Sequence, residues 1–404
     1  MFVILTGKIC RRLRSCMVLR VVLMISLFLG TVGRVADADT LPNPSASDTL
    51  PNVVFLSPDT SRFWHMVAGF MEQVAADLEV EFDVLFDEER HRLSYLKLVQ
   101  QVLSREEKPD YLIIMWKEQV TAQILDYARR QSVKVFSFNT AVPEAAREKV
   151  GSAPREKLEN WIGHLGVDNV SGGQILARML DQRARALNLV RSDEPVPVVA
   201  LTGTLDSSAA RDRSLGLLEA TDGAGSELLQ SVRADWSEQE ARDKTSVLLR
   251  RYPNTAAIWS ASDGMAFGAM DAARRAGLRP GNDLVVGGID WEPEALAAIR
   301  AGDLYVSLGR HFMGGGLALL LVHDYHRGYD FADSGQSASM HYQFQAATAD
   351  NVDDIAHMLA PENWKAVDFR AFSRVFNSQL REVPVSAERL MDGFSAALMK
   401  QGGR

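Results

Sequence analysis

Cysteine is nearly absent from this 404-residue chain: Cys10 and Cys16 are its two cysteines, and both lie close to the N-terminus. The residues beyond them can form no disulfide and no thiolate metal site, so buried apolar surface must supply the stability. Positive charge is also scarce, with 44 Lys and Arg against 52 Asp and Glu and a formal net charge of −8. Without a basic stripe, we expect no nucleic-acid partner, and the acidity favours solubility.

Apolar runs long enough to cross a membrane are lacking as well. The N-terminal run from Val21 to Val32 is 12 residues long, whereas a spanning helix needs about 20. Ala36-Asp37-Ala38 follows it as a small-x-small cleavage site, and basic residues precede it: Lys8, Arg11, Arg12, Arg14 and Arg20. This order predicts a cleaved secretory signal peptide over residues 1–38 and a periplasmic location. An uncleaved anchor, or a lipid on Cys16, is the less favoured alternative.

Cleavage after Ala38 would leave 366 residues, with 38 Lys and Arg against 51 Asp and Glu and a formal charge of −13. That length is sufficient for two packed cores. Residues 39–51 are rich in Pro, Ser and Asp and predict a tether.

Short apolar segments then alternate with amphipathic segments of helical period. The strand candidates are Val53–Ser57, Phe82–Phe86, Tyr111–Trp116, Val133–Phe138, Val198–Thr202, Leu228–Ala234, Ala257–Ser260, Leu284–Ile289 and Tyr305–Leu308. The helix candidates are Phe63–Leu78, Leu93–Ser104, Val120–Arg130, Gly173–Leu187, Gln239–Leu249 and Met265–Ala276. This alternation predicts an α/β fold with parallel sheets covered by helices on both faces.

Nine strands are many for one core, and a polar stretch from Ala141 to Gly166 interrupts the alternation. We therefore predict two doubly wound lobes joined by a hinge, with the first crossing in that stretch. Lobe 1 is expected to hold residues 52–167 and about 310–335, lobe 2 residues 168–309 and about 336–375, and 376–404 a helical extension. Towards the C-terminus the weaker pattern predicts a loop over Ala332–Met340, a strand over Tyr342–Ala346, and helices over Asn351–Leu359 and Ala387–Lys400.

Four tryptophans follow strand candidates, where the loops of a doubly wound sheet form a ligand crevice: Trp64, Trp116, Trp236 and Trp291. An indole face packs on the C–H face of a sugar ring while its N–H can donate a hydrogen bond. The alternative is that each tryptophan closes the core of its own lobe. The set as a whole favours a flat ligand with a polar rim.

Polar residues occur at the same strand ends: Asp59, Asn139, Arg213, Ser262, Asp263 and Asp290. Carboxylates and amides accept hydrogen bonds from hydroxyl groups, and a guanidinium donates them, so this mixture suits a hydroxyl-rich ligand. Ser262 and Asp263 also precede a helix, where either could be the N-cap, and Asp59 could serve only a turn. Arg211 and Arg213 are two positions apart on a helix, so one of them is expected to face the crevice.

The sequence contains only weak matches to enzyme motifs and metal-binding motifs. Ser94-Tyr-Leu-Lys97, Lys244-Thr-Ser246 and Ser262-Asp-Gly264 contain fragments of a serine acyltransferase set in the wrong order. His323 and His326 could share a helix face as metal ligands, but a solvated helix end is favoured. His164 and His311 lie near predicted crossings, where a structural role is favoured over ligand contact. We predict no enzyme activity, no metal and no cofactor.

Four segments resemble the ribose-binding, type I periplasmic binding proteins: Asp206–Arg213, Ala234-Asp-Trp236, Ser260–Ala269 and Gly287-Gly-Ile-Asp290 with the following Glu294–Gly302. Phe63-Trp64 resembles the aromatic pair of that family, and Gly166–Asn169 resembles its first crossover. The resemblance runs from about Asn52 to Arg327 and implies the two-lobed periplasmic binding protein fold.

The resemblance implies ligand contacts from Phe63, Trp64, Asn139, Arg213, Trp236, Ser262, Asp263 and Asp290. Phe63 and Trp64 could exchange roles, because the motif is about one residue out of register. Asn139-Thr140 and Ser262-Asp263 stand where sugar binders often have Asp-Arg and Asn-Asp. A furanosyl signal molecule of the autoinducer-2 type is therefore an alternative to a sugar.

The resemblance further implies a monomer that presents its closed form to the permease of an ABC transporter. A sensory protein that presents a signal to a membrane receptor is the alternative, and a repressor is disfavoured because the predicted signal peptide occupies the position of a DNA-binding headpiece. In each case the ligand bridges two lobes and favours the closed state by its higher affinity for it.

Overall fold

Two mainly parallel sheets carry the strand ends that the sequence predicts to form a site. The structure is a computed structural model and describes residues 47, 49–89, 92–118, 120–222 and 225–400. The predicted signal peptide lies outside these residues. Within the part that is described, no helix is both long enough and apolar enough to cross a membrane.

The described residues form twelve strands: β1 (Asn52–Ser57), β2 (Glu81–Phe86), β3 (Tyr111–Ile114), β4 (Lys134–Asn139), β5 (Trp161–Val167), β6 (Val196–Thr202), β7 (Ser226–Arg233), β8 (Ala257–Ser260), β9 (Val285–Ile289), β10 (Val306–Gly309), β11 (Ser339–Tyr342) and β12 (Gln345–Ala347). The lobe 1 sheet has the order β11-β5-β4-β3-β1-β2, and the lobe 2 sheet the order β12-β10-β9-β8-β6-β7. Neighbours are parallel except for β12, which runs antiparallel to β10. The predicted α/β fold with two doubly wound lobes is confirmed.

Helices cover both faces of each sheet. They are α1 (Arg62–Leu78), α2 (Arg92–Leu103), α3 (Thr121–Arg130), α4 (Glu144–Val150), α5 (Asn169–Ala186), α6 (Ser208–Thr221), α7 (Glu238–Arg251), α8 (Asp263–Arg275), α9 (Pro293–Ala301), α10 (Gly314–His326), α11 (Val352–Leu359), α12 (Pro361–Trp364) and α13 (Ala387–Lys400). The sequence-based bounds agree within two residues, except that α5 begins four residues early. Asp168 causes this difference, because its side chain accepts a hydrogen bond from the Ser171 N–H and caps the helix there.

The chain crosses between the lobes at three places. The first lies between β5 of lobe 1 and α5, which packs on β8 and β9 of lobe 2. The second lies between β10 of lobe 2 and α10, which packs on α1 of lobe 1. The third joins β11 in the lobe 1 sheet to β12 in the lobe 2 sheet. These three segments form the hinge.

The prediction of a crossing within Ala141–Gly166 was wrong, because this stretch contains α4 and the buried strand β5. Two glycines and a histidine interrupt the β pattern of this strand in the sequence. Gly163 is required by packing, since a Cβ there would lie 2.5 Å from the Phe136 ring and 2.6 Å from the Phe331 ring. The crossing follows β5, at the segment whose resemblance to the family predicts a crossover.

The predicted bounds of lobe 2 near the C-terminus were also wrong. The single strand predicted over Tyr342–Ala346 is two strands, β11 and β12, which belong to different sheets. The loop predicted over Ala332–Met340 ends where β11 begins, at Ser339. Residues 336–342 therefore belong to lobe 1, and so does α12, which packs on α1. Sequence pattern could not separate the strands, because only two residues lie between them.

Candidate functional site

The carboxyl ends of the strands from both sheets face one cavity of about 1000 Å³, counted with its open mouth. This is the position at which doubly wound sheets bind ligands. The residues that line it include Asp59, Phe63, Trp64, Trp116, Lys117, Asn139, Thr140, Asp206, Arg213, Asp235, Trp236, Ser262, Asp290, Glu292 and His311. Seven of the eight predicted site residues are among them, and Asp263 is not.

Aromatic rings form the wall contributed by lobe 1. Phe63 and Trp64 open helix α1, are 6 % exposed each and contact edge to face, with ring centroids 5.1 Å apart. His311, which follows β10 in the second crossing, stacks on Phe63 at 4.5 Å. The wall therefore joins the start of α1 to the hinge.

Trp236 provides an aromatic surface from lobe 2. It follows β7, its indole N–H donates to Thr204 Oγ1 at 3.2 Å, and it is partly buried. Gly203 makes room for this ring, because a Cβ there would lie 2.0 Å from the indole. These contacts hold the Trp236 ring against the end of β6, where it forms part of the cavity lining.

The four predicted crevice tryptophans do not form one group. Trp64, Trp116 and Trp236 line the cavity, whereas Trp291 does not. Trp291 is completely buried, packs over Gly309 and donates its indole N–H to the Ser307 carbonyl at 3.0 Å. The prediction for Trp291 was wrong, because its backbone turns the ring into the lobe 2 core.

Arg213 is the cation at the centre of the lobe 2 side. It is 3 % exposed, its Nε donates to Asn169 Oδ1 at 2.9 Å, and its Nη1 donates to the Ala261 carbonyl at 2.6 Å. Arg211 instead pairs with Glu118 on the surface. Only one of the two arginines faces the crevice, as the helical spacing predicts.

Two carboxyl groups of the cavity lining, Asp290 and Glu292, are only partly compensated by positive charge. Asp290 lies 3.8 Å from the Arg213 guanidinium, and burial raises the pKa of Asp290 to about 7 although Arg213 opposes the rise. Burial and the charge of Asp290 raise the pKa of Glu292 to about 7 against the opposing effect of Arg62, which is 2.8 Å away. These groups would gain from hydrogen-bond donors on a ligand.

Asp263 lies behind the cavity rather than on it. It is completely buried and accepts hydrogen bonds from the Ser307 hydroxyl at 2.8 Å and the Glu292 N–H at 3.0 Å. Burial and the neighbouring carboxyls raise the pKa of Asp263 well above its ordinary value. The geometry contradicts its prediction as a direct ligand contact and indicates that it supports the loop bearing Asp290. Ser262 is the N-cap of α8, since its hydroxyl accepts from the Met265 N–H at 3.3 Å, and it also lines the cavity.

Several buried polar atoms of the lining have no hydrogen-bond partner among the described residues. They are Trp116 Nε1, Asn139 Oδ1 and both ring nitrogens of His311. His311 Nε2 lies 3.2 Å from Asp290 Oδ1 without the alignment of a hydrogen bond. Burial, with Arg213 nearby, lowers the pKa of His311 well below its ordinary value, so the ring is neutral and has both a donor and an acceptor nitrogen. A buried polar atom without a partner costs free energy, which a bound ligand can recover.

Backbone strain is concentrated around the same cavity. Asn139, Asp235, Trp236, Asp290, Trp291 and Arg310 all have positive φ angles. A side chain in this region costs about 1–3 kcal/mol in many cases, although Asn tolerates it better. Such residues persist where surrounding contacts determine the conformation, as at binding sites.

The two lobes contact each other across the cavity mouth. Arg62 of lobe 1 pairs with Glu292 at 2.8 Å and with Glu238 at 3.4 Å, both in lobe 2. The Glu118 N–H donates to the Asp206 carbonyl at 3.3 Å, and the Ala141 N–H donates to the Ser208 hydroxyl at 2.8 Å. The structure is therefore in the closed conformation.

Sequence reasoning left several lining residues out of the predicted site. Lys117 follows Trp116, Glu292 follows Asp290 by two positions, and Asp206 begins a segment quoted for the family resemblance. His311 is the most informative omission, because the sequence favours a structural role and the structure places it in the cavity lining. Its position after a strand that leads into a crossing is the signal that could have identified it.

The interpretation of His323 and His326 as a solvated helix end was wrong. His323 is completely buried beside Asp324, and His326 approaches the Tyr111 hydroxyl at 3.2 Å. Their helix is covered by the C-terminal segment, which the sequence pattern could not reveal. Among the residues that the structure describes, no group of three or more His, Cys, Asp or Glu could hold a metal ion.

The fold and the cavity define a class of protein, the two-lobed α/β binding proteins whose ligand site lies between the lobes. Residues 53–325 match the model of the periplasmic binding protein domain. The chain belongs to this family, a class of binding proteins rather than enzymes.

Similar proteins support this assignment. The ribose import binding protein of Escherichia coli K12 is 29 % identical over 149 residues, which are 37 % of this chain and 47 % of that protein. The chain thus spans about half the length of the curated relatives it matches. A periplasmic sugar-binding protein from Pseudomonas fluorescens is 32 % identical in its crystal structure, with a TM-score of 0.72 over 81 % of this chain and 95 % of that chain. The Caulobacter myo-inositol binding protein has the same fold at 22 % identity, with a TM-score of 0.62 over 77 % and 97 % of the two chains.

Proposed function

We propose that this protein captures a small, sugar-like ligand in the periplasm by closing its lobes, and presents the closed form to the permease of an ABC transporter. The observation that carries this proposal is the lining of the inter-lobe cavity. Aromatic rings lie beside buried polar atoms that have no hydrogen-bond partner among the described residues: Trp116 Nε1, Asn139 Oδ1 and the His311 nitrogens.

A sugar matches this lining because it has apolar C–H faces and a rim of hydroxyl groups. The rings of Trp64 and Trp236 belong to different lobes and can contact the faces of a flat ligand. Hydroxyl groups both donate and accept, so they can satisfy the acceptors Asn139 and Asp290 and the donor groups of Arg213. The Arg213 Nη1 and Nε atoms already have protein partners, which fixes the orientation of the guanidinium before the ligand arrives.

Closure follows from the placement of these groups. Asn139 and Trp64 belong to lobe 1, and Arg213 and Asp290 belong to lobe 2, so one ligand contacts both lobes only when they approach. The ligand then favours the closed state by its higher affinity for it. The relatives that bind ribose, a sugar and myo-inositol by name support a polyol as the ligand class.

Thermal unfolding tests the proposal. Residues 39–404, freed of carried-over ligand by unfolding and refolding, are heated with pentoses, hexoses, furanose sugars, inositols and autoinducer-2. A ligand at about 100 times its dissociation constant adds roughly 2.7 kcal/mol to the free energy of unfolding. We expect a selective rise in the unfolding midpoint with one of these polyols.

Arg213→Ala is the site variant for this measurement, and Arg191→Ala, at an exposed loop, is its matched control. The control should keep the midpoint rise and the site variant should lose it. A rise that survives in Arg213→Ala, or no rise with any polyol for a cooperatively folded protein, contradicts the proposal.

A further inference from the structure

The C-terminal helix α13 lies against the hinge, beyond the residues that match the family model. Its buried face consists of Ala387, Met391, Phe394 and Leu398. This face packs on α10 and β11 of lobe 1 and on α11, which itself packs on α9 of lobe 2. The helix therefore contacts elements of both lobes beside the crossings.

Arg310, the first residue after β10 in the second crossing, is held by this helix. Its Nη1 atom pairs with Glu388 Oε1 at 3.0 Å, and its Nη2 atom pairs with Asp392 Oδ1 at 2.9 Å. Arg310 is 6 % exposed and has a φ angle of 82°, an unfavourable conformation for a residue with a side chain. The carboxylates of Glu388 and Asp392 compensate the positive charge of the buried Arg310 guanidinium.

Glu388 also holds the third crossing. Its Oε2 atom accepts a hydrogen bond at 2.8 Å from the N–H of Gln343, which lies between β11 and β12. One carboxylate thus binds the second crossing through Arg310 and the third crossing through Gln343. The two crossings cannot rotate independently while both contacts persist.

The segment that carries α13 is itself fixed to lobe 1. Asp324 of α10 accepts hydrogen bonds from the Ser373 hydroxyl at 2.5 Å and from the Arg374 N–H at 2.7 Å. The rings of Trp364, Phe369 and Phe394 surround Phe70 of α1 at 5.4–6.1 Å. Because α13 is attached to lobe 1 in this way, its contacts with the two crossings hold them in place relative to lobe 1.

We propose that α13 is a hinge brace: Glu388, through Arg310 and Gln343, limits how far the lobes open and positions His311 in the ligand site. Arg310 directly precedes His311, so a change in the Arg310 backbone moves that ring. A narrower range of open states lowers the cost of reaching the closed, binding-competent state and so strengthens apparent affinity. This inference rests on the hinge closure proposed above, and it names Glu388 and Arg310 as positioning residues.

The test measures the distance between the lobes in ligand-free protein. The predicted mature chain has no cysteine, so spin labels can be placed at Lys97→Cys on α2 and Arg250→Cys on α7, both exposed. Pulsed electron paramagnetic resonance then gives the inter-lobe distance distribution. Glu388→Ala should shift this distribution to longer distances and broaden it.

Three further variants refine the result. Glu388→Gln retains an acceptor for the Gln343 N–H and should give a smaller shift than Glu388→Ala. Glu382→Ala removes a charge from an exposed position shortly before α13 and should leave the distribution at that of the parent protein. If Glu388→Ala does not fold, Asp392→Ala removes the second and more exposed acidic partner of Arg310 and should show a shift in the same direction.

Unchanged inter-lobe distances in the folded Glu388→Ala and Asp392→Ala proteins would overturn the proposal, even if their unfolding midpoints fall. In that case α13 would only stabilise lobe 1. Since no ligand is added, failure of the sugar-binding proposal would leave this measurement unaffected.

Discussion

Replacement of the Asp290 carboxylate should weaken ligand binding without preventing folding. It lies on the cavity lining, and its burial is only partly compensated by Arg213 at 3.8 Å. Asp290→Ala should weaken binding of the sugar identified by thermal unfolding by about 1.5–3 kcal/mol, the usual contribution of a charged hydrogen bond. Titration calorimetry checks this, with Asp350→Ala, an exposed site, as the control. Unchanged affinity in a folded Asp290→Ala protein would remove Asp290 from the site.

Trp236 and Trp291 provide a matched pair of tryptophans, one on the cavity and one in the core. Trp236→Ala should reduce the ligand-induced change in tryptophan fluorescence and weaken binding by roughly 1.5–3 kcal/mol, the value of burying a large apolar side chain. Trp291→Phe should lower the unfolding midpoint and retain most of the fluorescence change. If Trp291→Phe instead lost the affinity and the fluorescence change while Trp236→Ala kept both, Trp291 and not Trp236 would lie against the ligand.

Glu292 makes stability depend on pH. In the folded protein its pKa is raised from 4.5 to about 7, mainly by burial. Between these values the folded state holds a proton that the unfolded state has lost, so this group's contribution to stability falls as pH rises and is lost above pH 7. The free energy of unfolding of Glu292→Gln, relative to the parent protein, should therefore rise from pH 5 to pH 8.

Denaturant unfolding at several pH values measures this difference. Glu294→Gln changes an exposed acid two positions along the chain and should show no such trend. A relative stability of Glu292→Gln that is constant with pH would mean that Glu292 titrates normally in the folded protein.

At the scale of the element, the first residue of α1 connects the lobes. Arg62 pairs with Glu292 and Glu238 of lobe 2, with about half of its side chain exposed. Exposed ion pairs contribute about 0.2–1 kcal/mol, so Arg62→Ala should accelerate ligand dissociation by about two- to fivefold. Stopped-flow fluorescence measures the rate. Arg105→Ala, which breaks a surface pair within lobe 1, should not change it, and equal rates in all three proteins would show that the mouth contacts do not hold the lobes closed.

Elements with regular patterns are predictable, and elements shaped by close packing are less so. Strands such as β1 and β8 are short apolar runs between turn residues, and their bounds follow from the sequence. Strand β5 was missed because Gly163 and Gly166 interrupt its pattern. Gly315 and Gly316 in α10 are likewise explained only by packing, because a Cβ at either position would lie too close to Met71 or Phe70 of α1.

At the scale of the whole molecule, the proposed function depends on lobe movement. Every group proposed to bind the ligand belongs to one lobe or to a crossing, so the ligand-free protein should spend more time open. Small-angle X-ray scattering should show a smaller radius of gyration after addition of the sugar that raises the unfolding midpoint. Arg213→Ala, without its central guanidinium, should show no decrease. A radius that does not change in the parent protein would indicate a preformed closed site.

The sequence by itself predicted the α/β class, the two lobes and seven of the residues that line the cavity. This is possible because hydrophobic period is a local property and because parallel strands place their carboxyl ends at one edge. Asn139, Trp236 and Asp290 could be selected in this way, since each lies at the end of a strand or shortly after it. Phe63 was selected only through the family resemblance.

Only the tertiary structure decided which way each selected side chain points and what covers it. Trp291 and Asp263 are turned into the lobe 2 interior, whereas His311 is brought from the hinge into the cavity lining. The same is true of α13, whose sequence predicts a helix but not its contact with Arg310. These outcomes depend on left-handed backbone turns and on contacts between residues distant in the chain, neither of which has a local pattern in the sequence.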